Sequence, residues 1–238
     1  MRKKRTTLRR AAKYVGEGAG AATLLSLAYI GASWARYGKV PRNGRRNSLL
    51  DRFMPAYEVL EVHETDVAAP AAVTYAAAHD LDLRRSGVIQ ALFRGRELLM
   101  RSAPTRREAQ PTFLSEVQAL GWRVLAEDPG RELALGAVTQ PWKPNVEFRG
   151  LEPDEFVAFN DPGYAKIAWT IEVEPVGDQA SIFRTETRVA TTDPKSRRRF
   201  RRYWSVVSLG VVLIRYEILR LVKREASRRL TAEPSAPS

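Results

Sequence analysis

Cysteine is absent from the 238 residues, histidine occurs twice and methionine three times. The first absence excludes disulfides, zinc-thiolate centres, iron-sulfur clusters and cysteine nucleophiles, while deciding nothing about redox compartment. With only His63 and His79, a multi-histidine metal site is not expected either. Also missing are the short signatures of common chemistries: Gly-x-Ser-x-Gly, a Walker loop, a paired-glycine nucleotide fingerprint and His-Glu-x-x-His. The sequence therefore names no catalytic residue by motif and implies no cofactor.

A charge excess of one sign is also missing from most of the chain. The formal net charge of +12 comes from 39 Lys/Arg and 27 Asp/Glu. Residues 1–46 hold 12 of those basic residues and one acid, Glu17, leaving 27 basic and 26 acidic residues in 47–238. A nearly neutral body is not a nucleic-acid footprint, so no nucleic-acid partner is expected. KSRRRFRR (195–202) is a dense basic run, but at helical spacing its charges spread around one helix start. A solvated helix end is its ordinary reading, with anionic head groups as the alternative if the domain is held at a bilayer.

At 44% hydrophobic and 28% charged, the composition is that of a folded protein, and the length suits one domain with an appendage. Residues 1–13 carry seven basic side chains, and Gly18 to Ala35 then runs 18 positions without a charge. A membrane helix needs about 20 apolar residues, with about 17 as its lower limit. The leading expectation is a retained single-pass anchor over about residues 18–35, with an orientation that the flanking charges bias only slightly. A cleaved export signal, or a helix lying on the membrane or on the domain, are the alternatives. Pro41 to Asn47 (PRNGRRN) reads as a linker. The expected organisation is thus a basic segment with apolar helix and linker (1–49), a folded domain (50–230) and a disordered tail (231–238).

In the body, YEVLEVHETDV (57–67) favours strand, and Pro70 followed by the alanine-dense 71–79 predicts a helix. Helical spacing recurs over 87–101 and 112–120. From Gly121 the period changes to two. Strands are predicted at WRVLAE and ELALGAV around Asp128-Pro129-Gly130, at FVAF and YAKIAWTIEVE around Asp161-Pro162-Gly163, and at IFRTETRVAT. Ile167, Trp169, Ile171 and Val173 alternate with Lys166, Thr170 and Glu172, which predicts one covered face and one wet face. Arg184, Glu186 and Arg188 share a face of the last strand, read as solvated, with an internal ion-paired site as the alternative. Pro194 to Leu230 predicts one long helix, its apolar middle Trp204 to Ile214 buried against the sheet. This is the element order of an α+β helix-grip fold, in which a curved antiparallel sheet wraps the last helix.

The pieces HETDVAAPAAVTYAAAHDLDL, LAEDPGRELALGAV, FNDPGYAKIAWTIEVEP, TETRVATTD and RRYWSVVSLGVVLIRYEILRLVKREA resemble bacterial members of the START and birch-pollen-allergen superfamily, the SRPBCC group, over residues 57–229. The resemblance implies an apolar cavity between sheet and final helix. Trp122, Trp142, Phe148, Phe156, Trp169 and Phe183 are candidate lining residues, as are Tyr203, Val207, Gly210, Ile214 and Glu217, which recur every three or four positions on the helix. Core packing is the plainer reading of each aromatic. Gly210 suggests a close approach. The leading expectation is a membrane-anchored domain that binds a hydrophobic small molecule or lipid without catalysis. An aromatase/cyclase- or dehydratase-like enzyme is the alternative, with Glu217 and Arg188 as proton-handling candidates; a structural protein with a filled core is a further one. His63 or His79 with Glu61 or Glu64 could form an acid-base pair, though both histidines have ordinary structural explanations.

Overall fold

A computed structural model of the chain describes residues 28–38, 48–82, 86–101 and 112–232. The elements are helix α1 (Ser48–Phe53), strand β1 (Val59–Val67), helices α2 (Ala71–His79), α3 (Gly87–Met100) and α4 (Phe113–Ala119), strands β2 (Arg123–Asp128), β3 (Glu132–Thr139) and β4 (Phe148–Arg149), helix α5 (Pro153–Ala158), strands β5 (Ala165–Pro175) and β6 (Ser181–Thr191), and helix α6 (Pro194–Ala232). Residues 28–36 are also helical. The strands form one antiparallel sheet in the order β1-β6-β5-β3-β2, with β4 paired to β3. The curved sheet packs against α6, which is the helix-grip arrangement expected from the residue pattern.

One core lies on the inner face, between sheet and helices. Leu133, Leu135, Trp169, Ile171, Val173 and Phe183 meet Ile218, Leu219, Val222 and Ala226 of α6 and Tyr75, Ala77 and Ala78 of α2. Each large apolar side chain buried here contributes about 1.5–3 kcal/mol, so this layer dominates the domain's stability.

The outer face is not wet. Leu50, Phe53 and Met54 from α1 and its following turn, with Phe156 of α5, bury Ala134, Val138 and Ala168 in a second core. Thr170 and Glu172 of β5 are buried with it. Arg184, Glu186 and Arg188 are 3%, 2% and 0% exposed, which overturns the solvated reading. FVAF is not a strand: Phe156 to Ala158 belong to α5, whose start carries Pro153 in the first turn and a capping box between Glu152 and Glu155. That helix signal outweighs strand propensity. In β2 the register shifts between Val124 and Ala126, so Leu125 bulges toward the outer core. Gly136 opposite makes this possible, because a Cβ there would lie 2.6 Å from Leu125 Cδ1.

Asp193 starts α6. Its Oδ1 accepts from the backbone N–H of Lys195 (2.7 Å) and Ser196 (2.9 Å), and its Oδ2 from Ser196 Oγ and the Gly163 N–H (both 2.6 Å). The helix then runs 39 residues. Its apolar middle has two sides: Trp204 is buried, while Val206, Leu209 and Leu213 are exposed on the outward side.

Among the described residues no helix is long and apolar enough to cross a membrane, which overturns the anchor and the membrane localisation built on it. Residues 18–27 of the expected span lie outside the described residues, as do 1–17, 39–47 with the expected linker, and 233–238 of the tail. The remainder of the span is held by the domain. Ser33 Oγ lies 3.1 Å from Ser208 Oγ, and Arg201 donates to the Trp34 carbonyl (2.8 Å) while its guanidinium stacks 4.2 Å from the Trp34 ring centroid. Tyr37 Oη donates to Glu58 Oε2 (2.5 Å), and the Tyr37 ring packs on Phe200. Ser33 and Trp34 of the expected span thus spend their polar groups and ring on α6.

Candidate functional site

The register of the sheet sets one row of side chains across the inner face: Leu135 of β3, Trp169 of β5, Thr187 of β6 and Glu61 of β1. Odd-numbered residues of these strands all point toward α6, since strand side chains alternate. Polarity rises along the row from β3 to β1. On the apolar half, Trp169 meets Phe113 (centroids 5.6 Å) and Trp122 (6.0 Å), and Trp122 stacks on Phe148 (4.9 Å). The result is an aromatic wall drawn from α4, β4, β5 and the residue preceding β2.

Arg215 descends from α6 onto the middle of the row. Its Nη2 donates to Thr187 Oγ1 (2.9 Å), and its Cζ sits 5.1 Å from the Trp169 centroid. Burial lowers its pKa to about 10, with Glu61 opposing that shift through space. In the neighbouring row His63 stands opposite Thr185. The His63 ring meets Tyr216 edge-on (5.2 Å), and its Nε2 is 3.5 Å from Glu61 Oε2 without a hydrogen bond. Thr185 Oγ1 and His63 Nε2 are both buried and unmatched. Unmatched buried polar atoms cost roughly 1–3 kcal/mol each, and two adjacent ones mark a polar region that the protein's own groups leave unsatisfied.

The sequence candidates divide between this site and other places. Trp169, Trp122 and Phe148 form the aromatic wall, and Phe183 lies in the same inner core. Phe156 is on the opposite face of the sheet. Trp142 and Tyr203 pack with Phe200 and Trp204 near the start of α6, where Trp142 Nε1 is a further buried unmatched donor. Ile214 flanks the inner core, and Val207 is half-buried. Gly210 permits no close contact with the sheet: a Cβ there would find Leu92 Cδ2 of α3 at 4.0 Å and nothing nearer. Glu217 accepts from Ser86 Oγ (2.8 Å) and pairs with Arg220, while Arg188 is held on the outer face by Asp51 and Glu186. Neither enzyme candidate therefore reaches the inner face.

The expected stripe was rotated. Positions 203, 207, 210, 214 and 217 sit one residue, or about 100°, from the side that meets the sheet. Phe200, Trp204, Ser208, Val211, Arg215, Ile218 and Val222 lie on that side, most of them in the cores or fully buried. The same spacing rule, started at Trp204, carries Arg215 onto the inner face, where it is half-buried.

No protein-family model and no curated protein matches this chain. Among solved structures it is similar to a Polyketide_cyc-like protein from Corynebacterium glutamicum (14% identity, 77% of this chain and 100% of that one, TM-score 0.36). Norcoclaurine synthase from Thalictrum flavum, solved with dopamine and hydroxybenzaldehyde, is 13% identical over 83% of this chain and 98% of its own, with a TM-score of 0.33. The Zhui aromatase/cyclase from Streptomyces sp. R1128 is 12% identical over 75% and 99%, with a TM-score of 0.26. At these identities and TM-scores the likenesses say nothing about the inner-face chemistry, which rests on this chain's own residues.

Proposed function

We propose that the domain binds an amphiphilic small molecule between sheet and α6, with its hydrophobic part against Trp169, Trp122 and Phe113 and its polar part toward Arg215, Thr185 and His63. The observation that carries this reading is the pair of buried unmatched atoms, Thr185 Oγ1 and His63 Nε2, beside an aromatic wall. Sites for small molecules combine mostly apolar linings with a few placed polar groups. Native mass spectrometry of the full chain should retain a co-purified or added aromatic compound, and Trp169→Leu should weaken that binding about tenfold or more. Binding unchanged by Trp169→Leu would place the ligand elsewhere.

A second reading is supported by the His63 Nε2 to Glu61 Oε2 approach of 3.5 Å on the inner face. A carboxylate beside an imidazole can hold and move a proton, the requirement of a cyclase- or dehydratase-like reaction. His63→Gln that leaves ligand binding intact while abolishing turnover of a bound compound would favour it; binding with no turnover by the unaltered protein would remove it.

A further inference from the structure

Two arginines of the outer face are buried and neutralised, and a third, Arg215, stands half-buried on the inner face. Arg184 has Glu64 at 2.7 Å, Glu172 at 3.2 Å and Glu174 at 3.4 Å. Arg188 has Asp51 and Glu186, both at 2.7 Å. Arg215 differs. Among the described residues no carboxylate comes within ion-pair distance of it, Glu61 acts only from farther away, and one hydrogen bond, to Thr187 Oγ1, uses one of its five N–H donors. A partly desolvated cation without a counter-charge carries a cost, and proteins that bury charges ordinarily pair them, as this one does on its outer face.

The groups around Arg215 share its deficit. Thr185 can donate its hydroxyl proton and His63 can donate from Nε2, and both atoms are buried without a hydrogen-bond partner, Glu61 Oε2 standing 3.5 Å from His63 Nε2. Thr185 and Thr187 are two positions apart on β6, so their hydroxyls lie on the same face about 6–7 Å apart. His63 stands directly across from Thr185 and Glu61 across from Thr187. Three donors, one of them cationic, therefore converge on one region, with the Trp169 ring already stacked against the guanidinium.

From this arrangement we infer that the ligand is an organic acid bound as its anion, a planar unsaturated or aromatic carboxylate whose oxygens face Arg215 and Thr185 and whose ring system lies along Trp169. This rests on the reading of the inner face as a small-molecule site. A carboxylate offers two oxygens and about four acceptor positions, enough to engage a guanidinium fork and a hydroxyl together. A neutral lipid or hydrocarbon would leave the cation and both unmatched atoms as they are. A planar tail suits the wall because Phe113, Trp122 and Trp169 present rings at tilted and edge-on angles rather than a smooth aliphatic lining.

The test uses the full chain at neutral pH with two isosteric pairs of probes: 2-naphthoate against 2-naphthamide, and anthracene-2-carboxylate against its amide. Calorimetric titration should give the acids about tenfold or more tighter binding than the amides, the worth of charge-assisted hydrogen bonds. Arg215→Met should weaken the acids far more than the amides, so that the acid preference is lost. It should also leave the Tm of the ligand-free protein unchanged or raised, whereas a merely structural arginine would lower it. Equal affinity for acid and amide overturns the inference and leaves small-molecule binding standing. Failure of every probe to bind overturns both, and a Tm lowered by Arg215→Met with the acid preference intact shows that the preference arises at another group.

Discussion

Arg188 Nη1 donates to Asp51 Oδ1 at 2.7 Å, joining the last strand to the first described helix of the folded body across 137 residues of sequence. The same nitrogen donates to the Met54 carbonyl (2.9 Å), Nε donates to Glu186 Oε1 (2.7 Å), and the guanidinium lies 4.5 Å from the Tyr57 centroid. Arg188 is thus the clasp that seats α1 on the outer face. Arg188→Met should destabilise the domain by about 3–5 kcal/mol, because it strands Glu186 in a buried position without its cation. Glu186→Gln should cost less, since burial already pushes the Glu186 carboxyl above its ordinary range and favours the neutral form. Urea unfolding monitored by circular dichroism measures both, and an Arg188→Met loss below about 1 kcal/mol would mean that α1 is not held by this pair.

Two glycines should respond to alanine with opposite signs. Gly121 has φ +95°, and a Cβ there would lie 2.1 Å from the Phe148 carbonyl oxygen. A backbone atom cannot swing aside, so Gly121→Ala should cost about 2–4 kcal/mol and disturb the adjoining Trp122–Phe148 stack, visible as a shift in tryptophan emission. Gly210 lies inside α6 with room for a methyl group. Gly210→Ala should gain about 0.5–1 kcal/mol in the same urea experiment, and a loss would show that the glycine meets something beyond Leu92.

The inner layer was legible in the sequence because it follows from local rules. Alternation in β5, the Asp-Pro-Gly turn before Glu132 and the unbroken helix after Pro194 each act within a dozen residues or so, and together they yield the observed sheet and α6. The outer layer was not legible, since α1 and α5 are each only six residues long and their burial depends on partners more than 100 residues away or on another strand. Arg184, Glu186 and Arg188 therefore read as a solvated strip, and only tertiary packing decides otherwise. At the site, Trp169 could be found from its alternating strand. Arg215 was missed through the choice of helical phase, because an apolar run rich in Val and Leu supports two stripes and the one through Tyr203 and Ile214 leaves Arg215 a position off it.

Asp193 makes the stability of α6 depend on pH. Hydrogen bonds from Ser196 Oγ, the Ser196 N–H, the Gly163 N–H and the Lys195 N–H hold its carboxyl well below the usual carboxylate range. A folded-state pKa below the unfolded one gives a contribution that is complete above the unfolded value near 3.8 and is lost as pH falls through the folded value. Asp193→Ala should therefore lower Tm at neutral pH, and the gap from the unaltered protein should narrow as pH falls below about 4. A gap that stays constant down to about pH 2 would show that the capping bonds do not require the ionised carboxylate.

Thr185 and Thr187 sit two positions apart on β6 and face the same region, yet their substitution by valine should act in opposite directions. Thr187 Oγ1 accepts from Arg215 Nη2, so Thr187→Val removes the guanidinium's one hydrogen-bond partner among the described residues and should destabilise the ligand-free domain by about 1–2 kcal/mol. Thr185 Oγ1 is buried with nothing to bond, so Thr185→Val exchanges an unmatched hydroxyl for a methyl group of similar size and should stabilise the ligand-free domain by up to about 1 kcal/mol. With 2-naphthoate present the Thr185→Val advantage should reverse, because the hydroxyl then has an oxygen to serve. Urea unfolding with and without the probe resolves both signs. If Thr185→Val is destabilising without ligand and indifferent to the probe, its hydroxyl already has a partner, and the polar region beside Arg215 is filled by the protein rather than kept for a ligand.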